Sequence, residues 1–241
     1  MKNALLLLVL LASFPAFADD RDGKLEIAPL SNNVYLHTSY RQLPGVGWFP
    51  SNGLVVVDGK RAVLVDTAWT VEATQGIVEW LRARALDLDY VIVTHSHSDR
   101  TAGLAYLHSI GIETFASGKT NDLLEMRKET RARNDFPEGG KNDTLIEIAW
   151  PGPGHAPDNH VVWIPGDGVL FAGCLAKSVA SESLGNVADA DIPAWNASMA
   201  KVLARFAAAD IVVPGHGSPG GLELLRHTQA LVEAHERART E

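Results

Sequence analysis

Six residues of metal-binding type follow apolar runs that end in turns: His95, His97, Asp99, His155, Cys174 and His216. The first three lie in Thr94-His95-Ser96-His97-Ser98-Asp99-Arg100, just after Tyr90-Val91-Ile92-Val93. His155 follows Ile146 to Gly154, Cys174 follows Val169-Leu170-Phe171-Ala172-Gly173, and His216 follows Ile211-Val212-Val213-Pro214-Gly215. Imidazole nitrogen, thiolate and carboxylate oxygen are the ordinary ligands of zinc. Six such groups supply two sites of three. Three protein ligands with a position left open mark a catalytic rather than a structural zinc. A lone histidine after a strand is more often a polar turn residue, but two at i and i+2 with an aspartate at i+4 favour metal. His37, His108, His160, His227 and His235 have no such partners and are read as structural.

The single cysteine sharpens this. A chain with one cysteine forms no internal disulfide. An unpaired thiol in an exported protein is a liability unless it has a task, and Cys174 shares its strand-end position with the histidines. Export is expected from residues 1–18, where Lys2 precedes the short apolar run Ala4 to Ala12 and Ala16-Phe17-Ala18 forms an A-x-A cleavage signature. The run is too short to span a bilayer, which needs about 20 residues, and reads as a secretory signal peptide. A mature domain of residues 19–241 in the periplasm, without a stable membrane anchor, is the expectation. Its halves would divide near 19–135 and 136–241. The formal charge of −8, with no basic stripe, argues against a nucleic-acid partner.

The elements that must deliver these side chains follow from pattern. The first half starts as a β-meander, with strands near 25–28, 34–39, 53–57 and 62–66 separated by turns such as Asp58-Gly59. Thr70 caps a helix to about Arg84, with Ile77, Trp80 and Leu81 on one face. A strand over 89–93 leads into the histidine turn, then a helix over 101–109, a strand over 112–116 and a helix near 121–128. The charged, Gly- and Pro-punctuated stretch 129–142 reads as an exposed linker. Strands near 144–150, 160–164 and 169–172 follow. A long loop then runs from Cys174 to Asp189. Asp191 caps a helix whose Trp195, Met199, Val202 and Phe206 recur at helical spacing. A strand over 210–213 and a helix from Pro219, capped by Ser218, end the chain. This order suggests an α/β protein in which two sheets pack face to face with helices outside, an αββα sandwich.

With these residues in view, the sequence resembles the metallo-β-lactamase superfamily, whose signature is H-x-H-x-D. More closely it resembles class B β-lactamases of the first subclass. The resemblance runs over the whole mature chain and includes Ser51-Asn52-Gly53, Asp66-Thr67-Ala68-Trp69, Gly152-Pro153-Gly154-His155, Gly173-Cys174, Leu184-Gly185-Asn186 and Pro214-Gly215-His216-Gly217. It implies two zinc ions, one held by His95, His97 and His155 and the other by Asp99, Cys174 and His216. It further implies that Lys177 meets the substrate carboxylate, that Asn186 sits near the lactam carbonyl, that Trp48 and Phe49 lie in a hairpin loop over the substrate, and that Trp69 lines the pocket floor. Asp99 would orient the attacking water as well as bind metal. Arg100 would lie behind Asp99 and Cys174, and Asp66 would support the histidine turn. The implied activity is hydrolysis of penicillins, cephalosporins and carbapenems by a monomer, conferring antibiotic resistance without a covalent acyl-enzyme. Two positions depart from the pattern. Ala156 replaces a usual threonine hydroxyl, and His160 a usual β-branched apolar residue. A thioester hydrolase of the glyoxalase II kind is the competing enzyme, although Arg100 and Cys174 stand where that kind carries histidine and a bridging aspartate. A non-catalytic zinc-binding protein is the competing class, and sites of three ligands argue against it.

Overall fold

A computed structural model describes residues 24–136 and 145–240. The segment 1–18, on which the export expectation rests, lies outside the described residues. The first sheet has seven strands in the order of the sequence. They are β1 (Leu25–Pro29), β2 (Val34–Leu43), β3 (Gly47–Asp58), β4 (Arg61–Val65), β5 (Asp87–Ile92), β6 (Glu113–Ser117) and β7 (Asn134–Phe136). Strands β1 to β4 pair antiparallel, as the meander predicts. From β4 onward the pairing is parallel. Parallel neighbours need a crossover, supplied before β5 by α1 (Val71–Arg82) and before β6 by α2 (Ser98–Thr101) and α3 (Leu104–Ser109). Between β6 and β7 it is α4 (Gly118–Met126).

The second sheet has four strands: β8 (Glu147–Ala149), β9 (Val161–Ile164), β10 (Val169–Gly173) and β11 (Ile211–Pro214). β8 and β10 are each antiparallel to β9, and β10 is parallel to β11. Strands β8, β10 and β11 therefore run the same way and end at the same edge. That edge is where His155, Cys174 and His216 leave the sheet.

The two sheets pack through alternate residues. Leu54, Val56, Val63, Val65 and Ile92 meet Ile148, Val162, Val169, Phe171 and Val213 in one buried cluster. Their strand neighbours Val55, Leu64 and Val91 face outward and pack on Ile77, Val78 and Leu81 of α1. On the far side Val161, Leu170 and Val212 pack on Trp195, Met199 and Val202 of α5 (Ile192–Arg205) and on Leu225 and Val232. Both faces of the central strands are thus covered, so their sequences are apolar runs rather than alternations. Each such side chain contributes about 1.5–3 kcal/mol when removed from water. The αββα layering is the one expected.

Several boundaries differ from the sequence reading, each for a local reason. The β2–β3 pairing continues to Leu43↔Gly47, so Trp48 and Phe49 stand in strand β3 near the tip rather than in a loop. The 101–109 helix is broken at Ala102-Gly103, where the Gly103 amide donates to Thr67 Oγ1 at 3.0 Å. A side chain at Gly103 would collide with Thr74. The 129–142 stretch is not all linker, because β7 joins the first sheet. The last helix, α6 (Glu223–Thr240), starts later than Pro219. Gly220 and Val212 exchange backbone hydrogen bonds at 2.7 and 3.0 Å, which holds residues before Glu223 against the sheet and leaves Ser218 outside the helix.

Candidate metal centre

The turn after β5 is gripped from several sides before any metal is considered. Asp66, at the end of β4 with φ 61°, accepts from the Thr94 amide at 2.7 Å and from Thr94 Oγ1 at 2.8 Å. Asp158 Oδ2 accepts from the Ser96 amide at 2.8 Å. Arg127 donates to the Ser96 carbonyl and hydroxyl. The strand is thereby halted and the chain turned so that His95 and His97 project from the edge, with Asp99 one turn further on in α2. The facing loop is clasped by Asn52, whose amide donates to the carbonyls of Pro214 and Gly217 at 3.0 and 2.7 Å.

All six predicted ligands come together. His95 Nε2 and His155 Nε2 each lie 3.1 Å from His97 Nδ1. His216 Nε2 lies 3.3 Å from the Cys174 sulfur and 3.3 Å from Asp99 Oδ2, and that sulfur is 3.6 Å from Asp99 Oδ2. Nitrogens about 2.0–2.1 Å from one tetrahedral zinc stand about 3.3 Å apart, so this spacing suits a shared ion. Overlapping triplets link the two groups, including His95, His97 and Asp99 and also Asp99, Cys174 and His216, each with donor atoms within 4.8 Å. The donor set fits zinc.

The remaining ring nitrogens fix which atom faces the centre. His97 Nε2 donates to Asp189 Oδ2 at 2.8 Å, so Nδ1 points inward. His216 Nδ1 donates to the Pro50 carbonyl at 2.6 Å, so Nε2 points inward. Such outer partners set the tautomer of a ligating histidine. His155 Nδ1 is buried without a hydrogen-bond partner among the described residues, and Ala156 beside it carries no hydroxyl.

The comparisons with known proteins agree with this geometry. The family model of the metallo-beta-lactamase superfamily matches residues 46–216. The chain belongs to the metallo-beta-lactamase superfamily. It is 36% identical over 220 residues to a metallo-beta-lactamase type 2 of Bacteroides fragilis, covering 88% of this chain and 86% of that one. It is 37% identical over 222 residues to one of Pseudomonas aeruginosa, covering 90% and 88%. Among solved structures, DIM-1 metallo-beta-lactamase exposed to ceftazidime shares 41% identity at a TM-score of 0.86, covering 88% of this chain and 97% of that one. FIM-1 from Pseudomonas aeruginosa, in its mono-zinc form, shares 36% identity at a TM-score of 0.85, covering 89% and 97%. The superfamily is metal-dependent, and the donor cluster is this member's candidate site.

Electrostatics divide the cluster in two. Burial, together with His97 and His155 nearby, holds His95 well below the usual histidine range. Burial and the Lys177 ammonium do the same for His155. Both rings are neutral at neutral pH, with lone pairs ready for a metal. Around Asp99 burial favours the neutral acid, but Arg100 and then His216 outweigh it and hold the carboxyl well below its usual range. His216 is pushed up to about 9, burial being outweighed by the Cys174 and Asp99 charges, so metal binding there must release a proton. Arg100 has no exposed surface. It donates to the Cys174 sulfur and the Gly215 carbonyl at 3.0 Å each, meets Asp99 Oδ2 at 2.8 Å, and contacts the Asn52 carbonyl. Gly215 is obligatory in this packing. A Cβ there would come within 2.5 Å of the Cys174 sulfur and 2.8 Å of Arg100 Nη2.

The other expected site residues are placed less uniformly. Phe49 and Trp69 both face His216, with ring centroids 5.0 and 5.8 Å away. Trp48 directly precedes Phe49 on the strand, where successive side chains alternate between faces, and of the two it is Phe49 whose ring meets His216. Lys177 is half-buried, its ammonium 5.5 Å from the Trp195 ring. Burial lowers its pKa, with Cys174 and Asp99 opposing. Asn186 is exposed, and its side-chain oxygen accepts from the Ala188 amide at 3.0 Å, which leaves the amide hydrogens as its free function. Sequence reasoning missed Asp189, Arg127 and Asp158. Asp189 joins His97 and Arg127, at 2.8 Å each. No spacing rule marks an exposed loop aspartate as the partner of a histidine 92 positions earlier.

Proposed function

We propose that this chain hydrolyses the amide bond of β-lactams with two zinc ions, one held by His95, His97 and His155 and the other by Asp99, Cys174 and His216. The observation that carries this is the pair of adjoining donor groups, three imidazoles beside an Asp-Cys-His set, in a chain related over 88% of its length to a metallo-beta-lactamase. Bound zinc supplies Lewis acidity and lowers the pKa of a water to about 7.

The protein's own groups do the rest. Asp99, kept ionised by Arg100, accepts a hydrogen bond from the attacking water and aims it at the carbonyl carbon. Asn186 donates its amide to the carbonyl oxygen as negative charge develops there. Lys177 pairs with the substrate carboxylate, and Trp195 under its ammonium keeps that cation beside the cluster. Phe49 and Trp69 form an apolar wall next to His216 that excludes water from the bound ring. No serine nucleophile takes part, so no acyl-enzyme forms. Penicillins, cephalosporins and carbapenems all carry the carboxylate and strained amide these groups address. The enzyme acts as a periplasmic monomer, cleaved after Ala18, and protects its host from these antibiotics.

Nitrocefin turnover before and after chelation tests the activity. We expect turnover that chelator abolishes and added zinc restores; no turnover in the zinc-loaded protein refutes the reading. Mass spectrometry of the periplasmic fraction tests export, with Asp19 expected as the first residue. Met1 retained there refutes the cleavage.

A further inference from the structure

The last helix carries a polar residue in the middle of its buried stripe. Leu224, Leu225, Thr228 and Val232 of α6 fall within an arc of about 100° at 3.6 residues per turn, and none is more than 1% exposed. The leucines and the valine pack in one cluster with Trp195, Met199 and Val212. Thr228 stands among them with no exposed surface. Valine has the same shape and would fill that place with no polar atom to satisfy. The hydroxyl therefore needs a reason other than packing.

The reason lies in the loop behind Cys174. The Thr228 hydroxyl donates to the Leu224 carbonyl at 2.7 Å and accepts from the Lys177 amide at 2.8 Å. The first bond does little for the helix, where such back-bonding is slightly destabilising. The second reaches 51 positions back along the chain. It fixes the backbone of Lys177, and with it the root of the side chain whose ammonium lies 5.5 Å from the Trp195 ring.

The same helix takes hold again one residue earlier. His227 Nε2 lies 2.8 Å from the Ser181 carbonyl oxygen, which can only accept, so the ring donates from Nε2. Between these two grips the chain makes a turn, in which the Ser181 amide donates to the Ser178 carbonyl at 2.9 Å. Ahead of Lys177 the Ala176 amide donates to the Gly173 carbonyl at 3.2 Å. The backbone is thus pinned before Lys177, at Lys177 and after it. A lysine ammonium rides on a flexible stem, so the volume it searches is set by where the stem is rooted. Rooting it in advance lowers the ordering cost at binding.

We propose that Thr228 and His227 are positioning residues for the substrate carboxylate: they root Lys177 against α6, so that its ammonium is in place when a β-lactam carboxylate arrives. The inference rests on the reading that Lys177 pairs with that carboxylate. It makes α6, which supplies none of the six metal-binding residues, a determinant of preference for β-lactam acids over their esters.

The test is steady-state kinetics of the zinc-loaded enzyme on nitrocefin and on its methyl ester, which lacks the carboxylate charge. Thr228→Val should raise KM for nitrocefin about three- to tenfold, the usual worth of one hydrogen bond. The change in kcat should stay within about twofold, because the binding lost is common to ground state and transition state. KM for the ester and the zinc content should stay as in the parent enzyme. Thr228→Ser keeps the hydroxyl and should restore the nitrocefin KM. In a Lys177→Ala background Thr228→Val should add nothing, since both act through one contact. His227→Leu leaves the buried stripe intact and should also raise the nitrocefin KM, which decides the matter if Thr228→Val folds poorly. The proposal is overturned if acid and ester KM rise together, if Thr228→Val acts equally with and without Lys177, or if serine does not rescue. A KM unchanged in Lys177→Ala itself refutes the carboxylate reading and the proposal with it. A KM raised there but in neither α6 variant refutes the proposal alone.

Discussion

The guanidinium of Arg100 donates to the Cys174 sulfur at 3.0 Å, and the same nitrogen meets Asp99 Oδ2 at 2.8 Å. Two groups of the second donor set are thus held by one cation that has no exposed surface. Arg100 also approaches Asp66 at 3.4 Å, the residue that anchors Thr94.

Removing that cation leaves buried negative charge without a partner. Arg100→Met should therefore cost about 3–5 kcal/mol, as breaking a buried ion pair from one side does. Urea unfolding of the zinc-free protein, where no metal compensates Asp99 and Cys174, measures it. A loss under about 1 kcal/mol would mean that water or a rearranged neighbour compensates and that the guanidinium is not the organising charge.

Cys174→Ser addresses the ligand itself. The thiolate is the softest donor in the cluster, and a serine hydroxyl is a poor replacement. Zinc content should fall from two per chain toward one, and turnover should fall strongly with it. Two zincs retained at full activity would remove Cys174 from the ligand set.

The candidate metal ligands could be read from the sequence because each lies within a short turn of the end of an apolar strand, so run and candidate ligand are near neighbours along the chain. The layering was equally plain, since continuous runs such as Val63-Leu64-Val65 need cover on both faces. What escaped depended on distance in sequence. Asp189 meets His97 across 92 positions and Asp158 meets Ser96 across 62. Each is a polar loop residue that looks solvated until the fold brings its partner near. The misplaced ends of α3 and α6 are similar, being set by Thr67, Thr74 and Val212 from elsewhere in the chain rather than by local propensity.

Asp189→Ala tests one of those missed contacts. The carboxylate orients the His97 ring from behind, and the His97 hydrogen bond, with Arg127 assisting, keeps it ionised. Loss of such an outer partner typically costs 10–100-fold in metal affinity or activity. We expect about that loss in nitrocefin turnover at limiting zinc, with partial recovery in excess zinc. Unchanged zinc affinity and turnover would show that His97 is oriented without it.

His37 predicts an acid limit to stability that is separate from the metal. Burial pulls it down to about 4, against about 6.5 in an unfolded chain. Its ring donates to the Asp66 carbonyl at 3.2 Å and fills the space left by the absent side chain of Gly53. With the folded-state value depressed, the unfolded chain binds the extra proton first. Its contribution is present above about pH 6.5 and is lost as pH falls toward 4, on the order of 3 kcal/mol across that window. His37→Gln keeps a donor but does not titrate. In chelated protein, where protons do not compete with metal and the other histidines titrate alike in both proteins, the stability difference between pH 7 and pH 4.5 should shrink by on the order of 2–3 kcal/mol. An unchanged difference would place the acid sensitivity elsewhere.

Lys177→Ala should raise KM more than it lowers kcat. The carboxylate of a β-lactam is present in the bound ground state and in the transition state alike, so losing its partner removes binding common to both. Lys177 lies three residues beyond Cys174, with its ammonium 5.5 Å from the Trp195 ring. Trp195 itself packs 6.0 Å from the His155 ring, which ties the lysine to the cluster edge. Partial burial lowers the Lys177 pKa while Cys174 and Asp99 counter it, so a substrate carboxylate would meet an incompletely solvated cation. The loss should be on the order of 1.5–3 kcal/mol, typical of a hydrogen bond to a charged group, and smaller where zinc shares the carboxylate. Lys177→Arg keeps the charge but changes its shape, and should recover part of the binding. Steady-state kinetics on one cephalosporin and one carbapenem decide it. If KM is unchanged on both, Lys177 does not hold the substrate, and Arg41 or another cation near the hairpin must.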